Sequence, residues 1–416
     1  MNHKKEIHDV IYLVALQGLN YLAPLLVFPY LMKVLGADKF GYIGFSLSVT
    51  QYLLLLVDFG FNLSATKRIA LAKDNPVELN AVFTATLYAK MALLLISFVL
   101  LTGVSFIPPF GIYRDTLFIL FLMVVGHAFT FVWLFQGLGK IRVVSIVLGS
   151  VRLAILPLSF LLVKTPDDYL TAALLQALVV VAAMGLSIGI IAKKQYVAIG
   201  AFVWRNMVGE LKESFPVFLS SAASSIYTAS FAVLLGYFST PEQVGQYSAA
   251  ERIMRALCFL VFAPVSQAFY PKMVRMGVEN RPAAARLLRT LLLVLLFSML
   301  LVCMAMFFLS PYLVAFFGPS YGDAVGLFQL MAVAAVFIGT GGVMAQLGIL
   351  AMGDARDKQH YRRVYVIAGV VALGSIFITI PQWGSIGATL SLVTVEGIVA
   401  VLMFAYGMKF LRRDAR

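Results

Sequence analysis

The 416-residue chain is 61% hydrophobic and only 12% charged, with a mean hydropathy of +0.94. A water-soluble protein of this size carries far more charged surface, so a soluble fold is excluded. The formal net charge of +13 sits on short segments between apolar stretches, which leaves no basic domain to hold nucleic acid.

A bilayer-spanning helix needs about 20 mostly apolar residues, and twelve such stretches follow one another along the chain. They are 9–31, 40–61, 81–102, 116–137, 143–163, 170–192, 214–238, 244–270, 287–310, 325–350, 364–383 and 386–408. The first follows Lys4 and Lys5, lacks a small-residue cleavage site and contains Pro24 and Pro29; these features predict a retained span rather than a removed leader. Basic residues stay on the cytoplasmic side of a membrane. With the N-terminus inside, 24 of the 32 Lys and Arg residues fall on inside segments, and the outside loops carry only Lys33, Lys39, Arg114 and Lys164. Both termini are therefore expected in the cytoplasm. The outside loops are too short to fold as domains. Cys258 and Cys303 lie within spans and read as small apolar packers. No metal-ligand spacing occurs, so neither a metal nor a cofactor is expected.

The chain repeats itself. A shift of 204 residues lays the first two spans over the seventh and eighth without a gap. VLGADKFG (34–41) then overlies FSTPEQVG (238–245), and FGIYRD (110–115) resembles FGPSYGD (317–323) at a similar shift. The expected organisation is a six-helix N-terminal lobe over 1–192, a cytoplasmic loop over 193–213 and a six-helix C-terminal lobe over 214–416. An even number of spans per half points both halves the same way, related by an axis along the membrane normal. A cleft between two such lobes is a common plan of alternating-access carriers.

Polar residues mark candidate surfaces on this frame. Gln17, Asn20, Tyr21 and Pro24 share one helical face, and the shift maps them onto Ser221, Ser224, Ser225 and Thr228. Such stripes either line a cavity or bond helix to helix. The charges are sharper. Lys90, Arg152, Arg252 and Arg255 sit near mid-span, where each costs about 2.5–3.5 kcal/mol on the insertion scale. Asp58, Glu251 and Glu396 are the acidic residues within spans, and Glu251 can reach Arg255 at i,i+4. The excess of cations suits an anionic substrate, since a guanidinium binds phosphate in a bidentate fork; the alternative is internal pairing, Asp58 with a nearby cation among them. His127, in the fourth span, reads either as a proton carrier or as a packing residue.

QGLNYLAPLLVFPYLMKVLG (17–36), FGYIGFSLSVTQYLLLLVDFGFNLSAT (40–66), WLFQG (133–137) and QYSAAERIMRALCFLVFAPVSQAFYPKM (246–273) resemble the Wzx (RfbX-type) O-antigen flippases. These form part of the polysaccharide transport branch of the MATE-like (MOP) exporter superfamily. The resemblance covers essentially the whole chain and is strongest over 10–70 and 243–275. It implies an all-α membrane protein with about twelve helices in two lobes around a central cavity. It also implies a substrate of undecaprenyl pyrophosphate carrying an oligosaccharide repeat unit, moved across the bacterial inner membrane to the periplasmic leaflet, with proton or sodium coupling. A polysaccharide polymerase and a chain-length regulator are the expected protein partners.

On this reading the chain is a transporter and not an enzyme. Arg252, Arg255, Arg152 and Lys90 hold the pyrophosphate or acidic sugars. Gln17, Asn20, Tyr21, Gln51, Ser221 and Ser224 touch sugar hydroxyls or line the path. Asp58, Glu251 and Glu396 carry coupling protons or balance the arginines. The rivals are a MATE-like small-molecule exporter, whose cationic substrates want an acidic lumen, and a membrane-embedded polysaccharide-assembly enzyme, which generally needs a sizeable outer loop that this chain lacks.

Overall fold

A computed structural model describes the backbone of residues 3–413, and the side chains of 26–408 apart from 141, 220, 223–227 and 355. All regular structure among the described residues is helical. The helices are α1 (His3–Asp58), α2 (Phe61–Ala72), α3 (Pro76–Ser105), α4 (Arg114–Phe129), α5 (Val132–Gly137), α6 (Ile141–Leu162), α7 (Tyr169–Lys194), α8 (Trp204–Phe238), α9 (Pro241–Glu279), α10 (Arg281–Phe317), α11 (Val325–Val343) and α12 (Ala355–Arg413). Among the described residues, nine helices are long and apolar enough to cross a membrane, against twelve expected spans.

Two of the three spans are merged because helices run on through their turns, and the third, 214–238, includes residues whose side chains are not described. In α12 the backbone leaves helical geometry at Gly384 (φ 53), a left-handed conformation that glycine adopts at no steric cost. Thr379 Oγ1 lies 2.7 Å from Ser391 Oγ, although twelve residues of straight helix would separate them by about 18 Å. Thus α12 is a hairpin of two arms. In α1 a similar break falls at Gly36 (φ 70). Residues 204–213, expected in a loop, form the first turns of α8.

The chain forms two compact units, Met1–Leu35 with Tyr42–Ser225, and Gly36–Gly41 with Ile226–Arg416. In the first unit, Asn75 accepts from the backbone N–H groups of Val77 and Glu78, and Pro76 opens α3; a short polar cap followed by proline starts a helix by satisfying its free donors. Its packing centres on Tyr113, fully buried and stacked on Phe45 at 4.0 Å, with Ser46 and Thr116 hydrogen-bonded at 2.7 Å nearby. The WLFQG stretch forms α5, where Trp133 is 1% exposed and stacks on Phe83.

In the second unit, Asn280 caps α10 in the same manner as Asn75 caps α3. FGPSYGD forms a short 3₁₀ turn at Pro319–Ala324, as FGIYRD does at Pro108–Tyr113, and Tyr321 is as fully buried as Tyr113. A side chain at Gly41 would strike the Pro241 carbonyl, and one at Gly245 would strike the Ala37 carbonyl. Both pairs are related by the 204-residue shift, and together they form one reciprocal glycine contact. Ser320 pins the same corner, accepting from the Ala37 N–H through Oγ and from Gln246 Nε2 through its carbonyl, both at 3.0 Å.

Candidate functional site

Both units carry buried charge. In the first, α1 ends at Asp58, and the turn to α2 passes through Phe59 (φ 44) and Gly60 (φ 83). A positive φ at phenylalanine is costly, and Phe59 is held by stacking on Phe218 at 4.5 Å. This turn presents Asp58 to Lys90 of α3, whose Nζ lies 3.9 Å from Asp58 Oδ1 and 5.7 Å from the Phe61 ring centroid. Lys90 is 1% exposed and the Asp58 side chain 24%. Asp58 Oδ1 and His127 Nδ1 are both buried without a hydrogen-bond partner among the described residues, and the Lys90 charge acts on His127. A lysine at this depth is tolerated because a carboxylate and a ring face share its charge.

Arg152 projects from the middle of α6 into a separate cavity of the first unit. Gln176 of α7 and Ser159 share its wall, and the remaining lining, from Val27 to Val180, is apolar. Gln51 is exposed and Ser221 half-buried. Gln17, Asn20, Tyr21 and Ser224 lie outside the residues whose side chains are described.

The second unit holds the larger cluster. On α9, Arg255 donates through Nε to Glu251 Oε1 at 2.9 Å, the expected i,i+4 pair. Glu251 acts on Arg252 as well, and Glu396 of α12 acts on Arg255. Tyr247 is fully buried one turn before Glu251, and its hydroxyl and the Ser248 hydroxyl have no hydrogen-bond partner among the described residues. Arg255 and Glu396 line one cavity with Cys258, Tyr365 and three phenylalanines. Cys258 is a buried free thiol and Cys303 a free thiol at intermediate depth. No group of three or more His, Cys, Asp or Glu residues is arranged to hold a metal among the described residues.

Glu210 is a buried charge that the sequence does not signal. It lies on α8 ahead of the apolar part, is 1% exposed and pairs with Arg68 of α2, which also reaches Glu213 at 3.2 Å. Burial raises the Glu210 carboxyl to about 7, against the lowering charge of Arg68 and with the help of Glu213. Ser64 and Ser214 hydrogen-bond at 2.6 Å beside it. An acidic residue in a supposed loop gave no signal of this burial. The aromatic walls around Glu396 have no signature in any one segment, because α9, α11 and α12 each contribute a side.

Residues 7–277 match the family described as polysaccharide biosynthesis protein. The chain is 31% identical over 404 residues to the Escherichia coli (strain K12) protein named "Putative O-antigen transporter", covering 96% of this chain and 95% of that one. A Shigella dysenteriae protein of the same name is 28% identical over 405 residues, covering 95% and 98%. Among solved structures, an inward-facing multidrug resistance MATE family transporter of the MOP superfamily superposes with a TM-score of 0.73 at 14% identity, covering 94% of this chain and 95% of that one. The lipid II flippase MurJ, in an inward closed conformation, gives 0.73 at 15% identity over 95% and 87%. At such identities the two structures show that the fold is MATE-like.

Proposed function

The chain belongs to the polysaccharide biosynthesis protein family, and from that premise we propose that it is a flippase for lipid-linked oligosaccharides. It is a multi-pass membrane protein of the transporter type, not an enzyme. Its substrate on this reading is undecaprenyl pyrophosphate bearing an O-antigen repeat unit, carried by alternating access from the cytoplasmic to the periplasmic leaflet of the bacterial inner membrane. The observation that carries the reading is buried charge, inside apolar helices, in a chain aligned along almost its full length with O-antigen transporters. Charge at that depth is expensive and calls for a polar cargo or a coupling role.

Arg152, with Gln176 in the same wall, is the cation assigned to the diphosphate, for which a guanidinium has matching geometry. Asp58 and Lys90 serve as a balanced pair able to exchange a proton or sodium ion between facing states. In cells lacking the chain, surface polysaccharide should be lost and lipid-linked units should accumulate; re-expression should restore export. Arg152→Ala should export at least about tenfold less than wild type, the loss of one charge-assisted contact, with unchanged membrane insertion. Wild-type polysaccharide in the deleted strain would refute the flippase reading, and wild-type export by Arg152→Ala would refute the role of Arg152.

A further inference from the structure

Within the second unit, α9, α11 and both arms of α12 enclose a cavity of about 190 Å³ with chemically mixed walls. Arg255 and Glu396 bring charge, and Phe259, Phe262, Phe337 and Tyr365 bring aromatic rings. Glycine clears space for two of these rings. A Cβ at Gly342 would sit 3.3 Å from the Phe262 ring, and one at Gly397 would sit 3.4 Å from the Phe337 ring. Both rings therefore rest against bare helix backbone, which fixes them as walls.

The charges at this site balance. One carboxylate, Glu396, and one guanidinium, Arg255, line the cavity, and Arg255 is also paired with Glu251 of its own helix. A phosphate entering here would meet the Glu396 carboxylate, and an ammonium group would meet Arg255. An isoprenoid chain would set hydrocarbon against Arg255 and Glu396, removing water from both charged groups and offering them no polar contact. A neutral polyol fits all of the walls. Its hydroxyls donate to a carboxylate and accept from a guanidinium, and the C–H faces of a pyranose ring pack on aromatic faces.

We propose that this cavity binds one uncharged pyranose ring of a saccharide. The proposal rests on the flippase reading and assigns Arg255 and Glu396 to the sugar rather than to the diphosphate. The test uses the purified full-length protein in lipid nanodiscs and saturation-transfer NMR. The probes are methyl glycosides of a neutral hexose, a 6-deoxyhexose and an N-acetylhexosamine, with glucuronate and glucosamine as charged controls. Ring C–H protons of at least one neutral probe should take up saturation, with a Kd on the order of 1–10 mM, the range a single ring reaches. Phe262→Leu and Glu396→Gln should each weaken binding about fivefold or more. Gly342→Ala changes no polar group yet presses on the Phe262 ring; it should weaken binding too, and its melting temperature checks that the fold is retained. The proposal is overturned if no neutral probe is saturated, if a charged control binds more tightly, or if folded variants bind as wild type does. Wild-type protein that exports polysaccharide but binds no pyranose sinks this site alone, whereas pyranose binding without export sinks the flippase reading.

Discussion

Lys90 carries the most deeply buried positive charge of the first unit, at 1% exposure, and a single carboxylate 3.9 Å away offsets it. Breaking a buried pair from one side strands the remaining charge, which costs about 3–5 kcal/mol, whereas replacing both partners removes the problem. Asp58→Asn should therefore destabilise the protein by about 3 kcal/mol, towards the lower end because the Asp58 side chain keeps 24% exposure. The double variant Asp58→Asn/Lys90→Met should recover most of that loss in thermal unfolding of the detergent-solubilised protein. A double variant no more stable than Asp58→Asn would show that the pair does not act as one unit. At this scale the sequence was informative where partners share a helix: four residues fix the Glu251–Arg255 pair by geometry alone. It was weaker for Lys90, whose partner lies across a left-handed turn at Phe59 and Gly60, and silent for Glu210, whose burial depends on a helix start that residues 204–213, with four charges among them, do not advertise.

The approach to α8 shows how an apparent loop becomes structure. Residues 196–203, which follow a left-handed turn at Gln195 and have no regular secondary structure, pass along α3, where the N–H groups of Ala198 and Gly200 donate to Asn80 Oδ1 and Thr84 Oγ1, both at 2.8 Å. Two residues of extended chain span about the same distance as four residues of helix, so the two spacings match. Phe202 packs edge-on against Tyr88, and Lys140 lies 4.4 Å over the Tyr196 ring. The start of α8 is then fastened to α2 by Arg68 and Glu210. Because the Glu210 carboxyl titrates at about 7 in the folded protein, above its ordinary 4.5, the folded state holds a proton that the unfolded state has lost between those values. Stability accordingly falls as pH rises through that window and stays low above it, by on the order of 3 kcal/mol. Glu210→Gln should flatten this dependence, with melting at pH 8 moving up towards its pH 5 value. Identical pH slopes in the wild type and the variant would remove Glu210 as the titrating group.

For the molecule as a whole, the bilayer made the class legible. A membrane imposes helix length and apolarity on every span, and charge placement follows the same constraint. The glycines at 41 and 245 were legible as a matched pair, because the Gly41–Pro241 and Gly245–Ala37 approaches permit no side chain. The reversal at Gly384 was legible as the gap between the spans 364–383 and 386–408, but the continuity of α12 through it was not, because the backbone leaves helical geometry at Gly384 alone. The cavity around Arg255 and Glu396 was not legible either, because its walls lie up to 144 positions apart, from Arg255 to Val399. The central claim is that this chain moves a lipid-linked oligosaccharide between leaflets. The most direct test reconstitutes the purified protein in vesicles loaded on the outer leaflet with undecaprenyl-pyrophosphate-linked repeat unit, and follows protection of the sugar from an added glycosidase. On the flippase reading, protection should grow with time only in vesicles containing the protein and be slowed in Arg152→Ala. Protection that grows no faster than in protein-free vesicles would contradict it.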